Sequence, residues 1–150
     1  MSIALILKVI HILSAIVALG ANVTYAYWLR RAGTHDRERL VWTIDSIRKL
    51  DNRIATPAYV VVLLTGLGMV FSGLFSFSEG WIQAAIALYV VVVLIGIFVY
   101  APTLRRQLAE AEKDPSSEAY RTVATRSNVL GLVVIAIVVV IVFLMVTKPF

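Results

Sequence analysis

Long apolar stretches dominate this chain of 150 residues, and the charged residues lie between these stretches or at the two ends of the chain. Four stretches contain no Asp, Glu, Lys or Arg: residues 9–29, 54–78, 80–104 and 127–147. About 20 apolar residues in a helix cross about 30 Å of hydrocarbon, so each stretch is long enough to span a membrane. The pattern predicts an all-α polytopic membrane protein. A single domain, residues 1–150, forms a bundle of four transmembrane helices at residues 3–29, 54–72, 81–102 and 127–147, which are spans one to four.

Composition agrees with this prediction. The chain is 60% hydrophobic and 15% charged with a mean hydropathy of +0.88, which excludes an ordinary secreted or cytosolic globule. The absence of cysteine excludes disulfides, thiolate metal sites and iron–sulfur clusters. A signal peptide carries its positive charge ahead of the apolar run, whereas here Arg30 and Arg31 follow it, so we expect residues 3–29 to be retained as a helix.

The basic residues predict the orientation. Twelve of the 14 Lys and Arg residues lie between spans one and two or between spans three and four. The positive-inside rule places both of these segments in the cytoplasm, so both termini and the loop near residues 71–80 are expected on the outer side of a bacterial inner membrane. The net charge of +5 then reflects topology, so we expect a lipid bilayer and no nucleic acid as partner.

The coarse organisation is two helical hairpins joined by a short outer loop. Residues 40–50 alternate apolar and charged positions at helical spacing and predict an amphipathic helix leading into span two. Pro57 is expected to kink that junction or to start a new helix. Asp114 followed by Pro115 is typical of a helix start and predicts the beginning of the helix that enters span four.

Span one shows which of its faces packs against other helices. Small and polar residues recur on one face every three or four positions: Ala4, Lys8, His11, Ser14 or Ala15, Ala18, Asn22 and Tyr25. Such a face is expected to contact other helices, because polar side chains are costly against lipid. In span four Asn128 and Gly131 are expected to face inward, and the β-branched run at residues 133–142 to face lipid.

His11 and Lys8 are the ionisable residues of span one. Neutral imidazole can ligate haem iron, and a lysine near the outer surface can neutralise a haem propionate. Lys148, at the outer end of span four, can join such a site. The alternatives are a hydrogen-bonded core histidine and lysines that extend to the interface. The other histidine, His35, lies in a cytoplasmic loop, so a haem on His11 is five-coordinate, takes a different second ligand, or is shared across a dimer.

Several short motifs resemble known families. They are Leu7-Lys8-Val9-Ile10-His11 followed by Gly20, Arg53-Ile54-Ala55-Thr56-Pro57, Thr65-Gly66, Trp81, and Lys148-Pro149 after Met145. In this order they resemble a family of small bacterial four-helix integral membrane proteins catalogued as a domain of unknown function. More distantly, Lys-x-x-His in span one, Thr-Pro at span two, Arg126-x-Asn128 and the closing Lys-Pro-Phe are similar to the J-type membrane protoporphyrinogen oxidase of bacterial haem synthesis. The pattern of span one also resembles copper-resistance D-like membrane proteins. The oxidase resemblance implies that His11 ligates haem b or a porphyrin, with Lys8, Arg126, Asn128 and Lys148 in supporting roles.

These residues support two hypotheses of different class. The first is an integral membrane protein that binds haem or a porphyrin through His11 in a redox role. The second is a non-catalytic accessory or structural subunit of a larger membrane complex, with a homodimer as a further form of assembly. A transporter is disfavoured, because the four spans contain no acidic residue. The sequence assigns no enzymatic reaction.

Overall fold

The computed structural model describes residues 3–150, and these contain helices and turns but no strand, which confirms the predicted fold class. The four continuous helices of this part of the chain are α1 (Ile3–Ala32), α2 (Arg37–Phe71), α3 (Gly80–Lys113) and α4 (Glu118–Thr147). Each is long and apolar enough to cross a membrane, so the chain is a polytopic membrane protein. We name the end of the bundle that holds the α1–α2 and α3–α4 connections the basic end, and the opposite end the terminal end.

Side-chain caps set the first residues of α2 and α4. The Asp36 carboxylate accepts a hydrogen bond from the Arg39 backbone N–H and caps α2. The prediction that Asp114 and Pro115 open the fourth helix is wrong. Asp114 ends α3 instead, because its carboxylate accepts hydrogen bonds from the Ser116 hydroxyl and backbone N–H, which also hold its pKa below the ordinary value. The helix begins at Glu118, where the Ser117 hydroxyl caps it.

Each of the two middle helices contains one π-helical turn near its midpoint. The turns are Asp51–Ala55, before Pro57 in α2, and Gly96–Tyr100, before Pro102 in α3. Proline has no N–H, and its ring displaces the carbonyl four residues earlier. A π turn accommodates that displacement without ending the helix. Pro57 therefore starts no separate helix, and α2 runs unbroken from its amphipathic first turns into its membrane-spanning part.

Packing confirms the two hairpins. α1 packs along the membrane-spanning part of α2, α3 packs along α4, and α1 also contacts α4. At the basic end the amphipathic segments Arg37–Leu50 and Ala101–Lys113 pack on each other. Buried apolar side chains of these segments form the main cluster of the core together with residues of α1, α4 and the end of the π turn in α3. The cluster contains Tyr25, Ala32, Leu40, Ile44, Ile47, Tyr100, Leu104, Ala111 and Tyr120. This cluster fixes the relative positions of all four helices at one end of the bundle.

The membrane-spanning segments Thr56–Phe71 and Gly80–Ile95, unlike the amphipathic segments, do not pack closely on each other. Among the described residues, no Cα atom of the first lies within 8 Å of a Cα atom of the second. The two middle helices therefore touch at the basic end and separate toward the terminal end. Their separation leaves an open volume inside the terminal half of the bundle, and the candidate site lies there.

The predicted inward face of α1 is confirmed for Ala18 and Tyr25, which are buried, but Lys8 is exposed. In α4 the prediction for Asn128 is wrong, because Asn128 is exposed and its neighbour Ser127 is buried. The β-branched run at residues 133–142 is lipid-facing only in part, since Val134 is buried. The cause is helical geometry, because ten consecutive residues cover every face of a helix.

Candidate functional site

The imidazole of His11 projects from α1 onto the backbone of α2. Its Nδ1 lies 2.9 Å from the Val62 carbonyl oxygen and 3.1 Å from the Thr65 Oγ1. A carbonyl oxygen only accepts hydrogen bonds, so Nδ1 carries the hydrogen. The Thr65 hydroxyl donates to the Val61 carbonyl oxygen at 2.6 Å and is therefore a second acceptor for Nδ1–H. In the neutral ring, the lone pair is then on Nε2.

Gly66 provides the space for this imidazole. A Cβ atom at position 66 would lie 3.1 Å from the Cε1 atom of His11 and 3.5 Å from its Nδ1. Ordinary contact between carbon atoms needs about 3.5 Å or more. The Thr65-Gly66 pair therefore supplies a hydrogen-bond acceptor and the space beside it, which gives this sequence motif a direct structural role.

Next to His11 lies a cavity of about 430 Å³, which is within the size range of cofactor and small-molecule sites. All four helices line it, and its walls are almost entirely apolar side chains. His11 and Ala18 of α1 and Tyr89 of α3 are among its lining residues. Two thioethers, those of Met69 and Met145, also line it. Sequence reasoning did not place these methionines beside His11, because they lie in different spans.

An aromatic rim surrounds the cavity at the terminal end. The Nζ of Lys148 lies 4.5 Å from the ring centroid of Phe75 and 5.5 Å from that of Trp81, and both rings line the cavity. The Trp81 Nε1–H donates to Glu79 at 2.7 Å. Hydrogen bonds from the Ser76 backbone N–H and from Trp81, with the charge of Lys148, hold the pKa of Glu79 below its ordinary value. A cation is thus held where the cavity meets the predicted outer surface.

The other predicted site residues lie elsewhere. Lys8 is exposed one turn from His11 and does not line the cavity. Arg126 and Asn128 lie near the basic end of α4, whereas the α4 residue of the cavity nearest to them is Val138. At 1.5 Å per residue, that separation is about 15 Å or more along the helix. The structure therefore brings Lys148 near the His11 cavity and keeps Arg126 and Asn128 away from it; their role in a cofactor site stays a prediction.

A polar network that the sequence did not predict lies between the cavity and the basic end. The Asn22 amide donates to the Tyr59 hydroxyl at 3.1 Å, and the Tyr89 hydroxyl donates to the Tyr59 carbonyl oxygen at 2.7 Å. Further toward the basic end, the Tyr25 hydroxyl donates to Asp51 at 3.3 Å. Asn22 and Tyr25 were visible as the polar face of span one. Asp51 was not, because the π turn that positions it leaves no clear signal in the hydrophobic pattern.

Comparisons with known proteins identify the family and nothing more specific. No curated protein and no solved structure matches the chain. The resemblances to the J-type oxidase and to copper-resistance proteins therefore gain no support. One family model, described as predicted integral membrane protein (DUF2269), matches residues 5–149. Because this match covers nearly the whole chain, the protein belongs to the DUF2269 family of integral membrane proteins.

Proposed function

We propose that the protein binds haem b or a porphyrin in the terminal-end cavity through Nε2 of His11 and acts in a redox role. One observation carries the proposal: Nδ1–H of His11 donates to the Val62 carbonyl oxygen, and Nε2 has no hydrogen-bond partner among the described residues. Histidines that ligate metals typically donate their second ring N–H to a carbonyl or carboxylate, which fixes the tautomer and the ring orientation. His11 lines an apolar cavity, and a histidine nitrogen is a common ligand of haem iron.

The residues present fit such a group. His11 would supply a nitrogen ligand to the iron, and Met69 or Met145 would offer a thioether as a second ligand within the same chain. Lys148 at the rim is suited to a propionate carboxylate. A bound haem would supply one-electron chemistry, while the protein holds the ring, excludes water and neutralises the carboxylates. The bacterial inner membrane stays the expected location.

Spectroscopy with matched variants tests the proposal. Purified protein in neutral detergent is titrated with haem b and separately with protoporphyrin IX, and the absorbance spectrum is followed. We expect wild type to shift the Soret band of haem and His11→Ala to lose that shift. His35→Ala is the control, because His35 lies in the α1–α2 connection away from the cavity. Met69→Leu or Met145→Leu is expected to change the visible bands if that thioether is the second ligand, since leucine keeps a similar volume without sulfur.

The contradicting outcomes are distinct. If His11→Ala binds haem with an unchanged spectrum, the ligand assignment is wrong. If wild type binds neither haem nor porphyrin, the redox proposal fails. The accessory-subunit hypothesis then takes its place, with His11 as a hydrogen-bonded packing residue between α1 and α2. If the protein binds the iron-free porphyrin but not haem, the cavity is a porphyrin site in which His11 ligates no metal.

A further inference from the structure

A second cavity, of about 360 Å³, lies at the basic end between α3 and α4. Two arginines, Arg106 and Arg126, line it together with Thr103, Thr122 and Glu118. Neither arginine takes part in the ion pairs or side-chain hydrogen bonds of residues 3–150. The cavity therefore holds two cationic groups with free hydrogen-bond donors, although Glu118 lines the same cavity.

The position of this cavity along the bundle matches the headgroup layer of a bilayer. Span three is predicted to end at residue 102, and Thr103 and Arg106 lie just beyond it. Span four is predicted to begin at residue 127, and Arg126 precedes it directly. Both arginines are exposed. Basic pockets between transmembrane helices at this depth are suited to lipid phosphates.

We propose that this cavity binds the phosphate group of a membrane lipid, with Arg106 and Arg126 as its direct contacts. Each guanidinium presents a planar set of N–H donors that matches two phosphate oxygens. The Thr122 hydroxyl is free to donate as well. Thr103 contributes no donor, because its hydroxyl hydrogen bonds the Val99 carbonyl oxygen at 2.6 Å. The cavity lies at the opposite end of the bundle from His11, so its ligand is independent of the haem proposal.

Glu118 distinguishes a lipid from free phosphate as the source of the ligand. Its carboxylate repels an anion in the same cavity, and the repulsion grows with the charge of that anion. A phosphodiester in a lipid carries one negative charge. Free inorganic phosphate carries more than one negative charge on average near neutral pH, because its second proton ionises there. The charges that line the cavity therefore favour the phosphodiester.

Native mass spectrometry of the full-length protein in neutral detergent measures the binding. Phosphatidylglycerol is the probe, and diacylglycerol, which lacks the phosphate, is the lipid control. We expect Arg106→Gln and Arg126→Gln each to weaken phosphatidylglycerol binding about tenfold, the effect of losing one charge-assisted hydrogen-bonding partner. Arg105→Gln and Arg121→Gln are matched controls, because both residues are exposed neighbours that do not line the cavity. Glu118→Gln is expected to strengthen the binding.

Three results would overturn the proposal. Equal losses in all four arginine variants would mean that diffuse charge attracts the lipid, without a site. If diacylglycerol binds as strongly as phosphatidylglycerol, the protein binds the acyl chains alone. Displacement of phosphatidylglycerol by inorganic phosphate at millimolar concentration, lost in Arg106→Gln and Arg126→Gln, would make free phosphate the ligand. A melting curve for each variant in the same detergent identifies any loss of binding that comes from unfolding.

Discussion

Replacing Gly66 with alanine is the sharpest test of the His11 geometry. The added Cβ would lie 3.1 Å from the Cε1 atom of His11, about 0.4 Å closer than an ordinary carbon contact. The imidazole cannot yield freely, because its Nδ1–H is bonded to the Val62 carbonyl oxygen at 2.9 Å on the same helix. Movement away from α2 by about 0.4 Å lengthens that bond to about 3.3 Å, outside the usual range for N–H···O bonds. Relative to glycine-to-alanine changes that create no such contact, we expect Gly66→Ala to lose about 1 kcal/mol in the free energy of unfolding.

Two glycines provide controls within the same bundle. An added Cβ at Gly20 meets no atom within 4 Å, and one at Gly68 meets only the flexible end of Leu7 at 3.4 Å. All three substitutions gain the helix propensity of alanine, so the difference between Gly66→Ala and the controls isolates the contact with His11. The free energy is measured by unfolding in mixed detergent micelles. Nitrogen NMR of labelled imidazole then follows the Nδ1–H of His11, with His35 as the internal reference. Equal stability of the three variants, with an unchanged His11 signal in Gly66→Ala, would refute the proposed contact.

Two further predictions concern topology and packing. A reporter fused after Phe150 or inserted near Ser76 should be located outside the cell, and a reporter inserted near Lys113 should be located in the cytoplasm. If the reporters near Ser76 and Lys113 are found on the same side, the predicted orientation is wrong. Ala18→Leu should destabilise the bundle by about 1–3 kcal/mol, because Ala18 is 1% exposed, whereas Ala136→Leu should have little effect, because Ala136 is exposed. Equal losses in thermal unfolding would show that the two faces have been assigned wrongly.

The membrane-spanning segments were predictable because lipid imposes a simple requirement on sequence. A spanning helix needs about 20 apolar residues and tolerates few charges, so the four spans appear directly in the pattern. The inward face of α1 was predictable for the same reason, since polar side chains avoid lipid. His11 was recognisable as a candidate because it lies on that face. Its partners Val62 and Thr65 were not, because a hydrogen bond between helices depends on their relative rotation and height.

Other parts of the structure leave weak traces in sequence. Aspartate is a common residue at the start of helices, so Asp114 was expected to cap α4. It instead closes a turn at the end of α3, and Ser117 caps α4. Both arrangements satisfy backbone N–H groups, so local preference alone does not choose between them. The separation of Arg126 from the His11 cavity was also hidden. A resemblance in motif order does not tell how deep each residue lies in the membrane. The number of α4 residues between Arg126 and the cavity places the two about 15 Å or more apart.

The position of the two π turns offers a physical reason for the cavity itself. α2 and α3 pack together through Leu40, Ile44 and Leu104 at the basic end and lose backbone contact on the other side of their π turns. A π turn holds more residues per turn than the α-helix around it, so it rotates and displaces the helical segment beyond it. Two such turns at similar depth, each next to a proline, can direct the spanning segments apart. The volume between them is then enclosed by α1 and α4, and His11 faces it. Because His11 lines this volume, the course of α2 and α3 beyond their π turns sets how much space lies beside the imidazole.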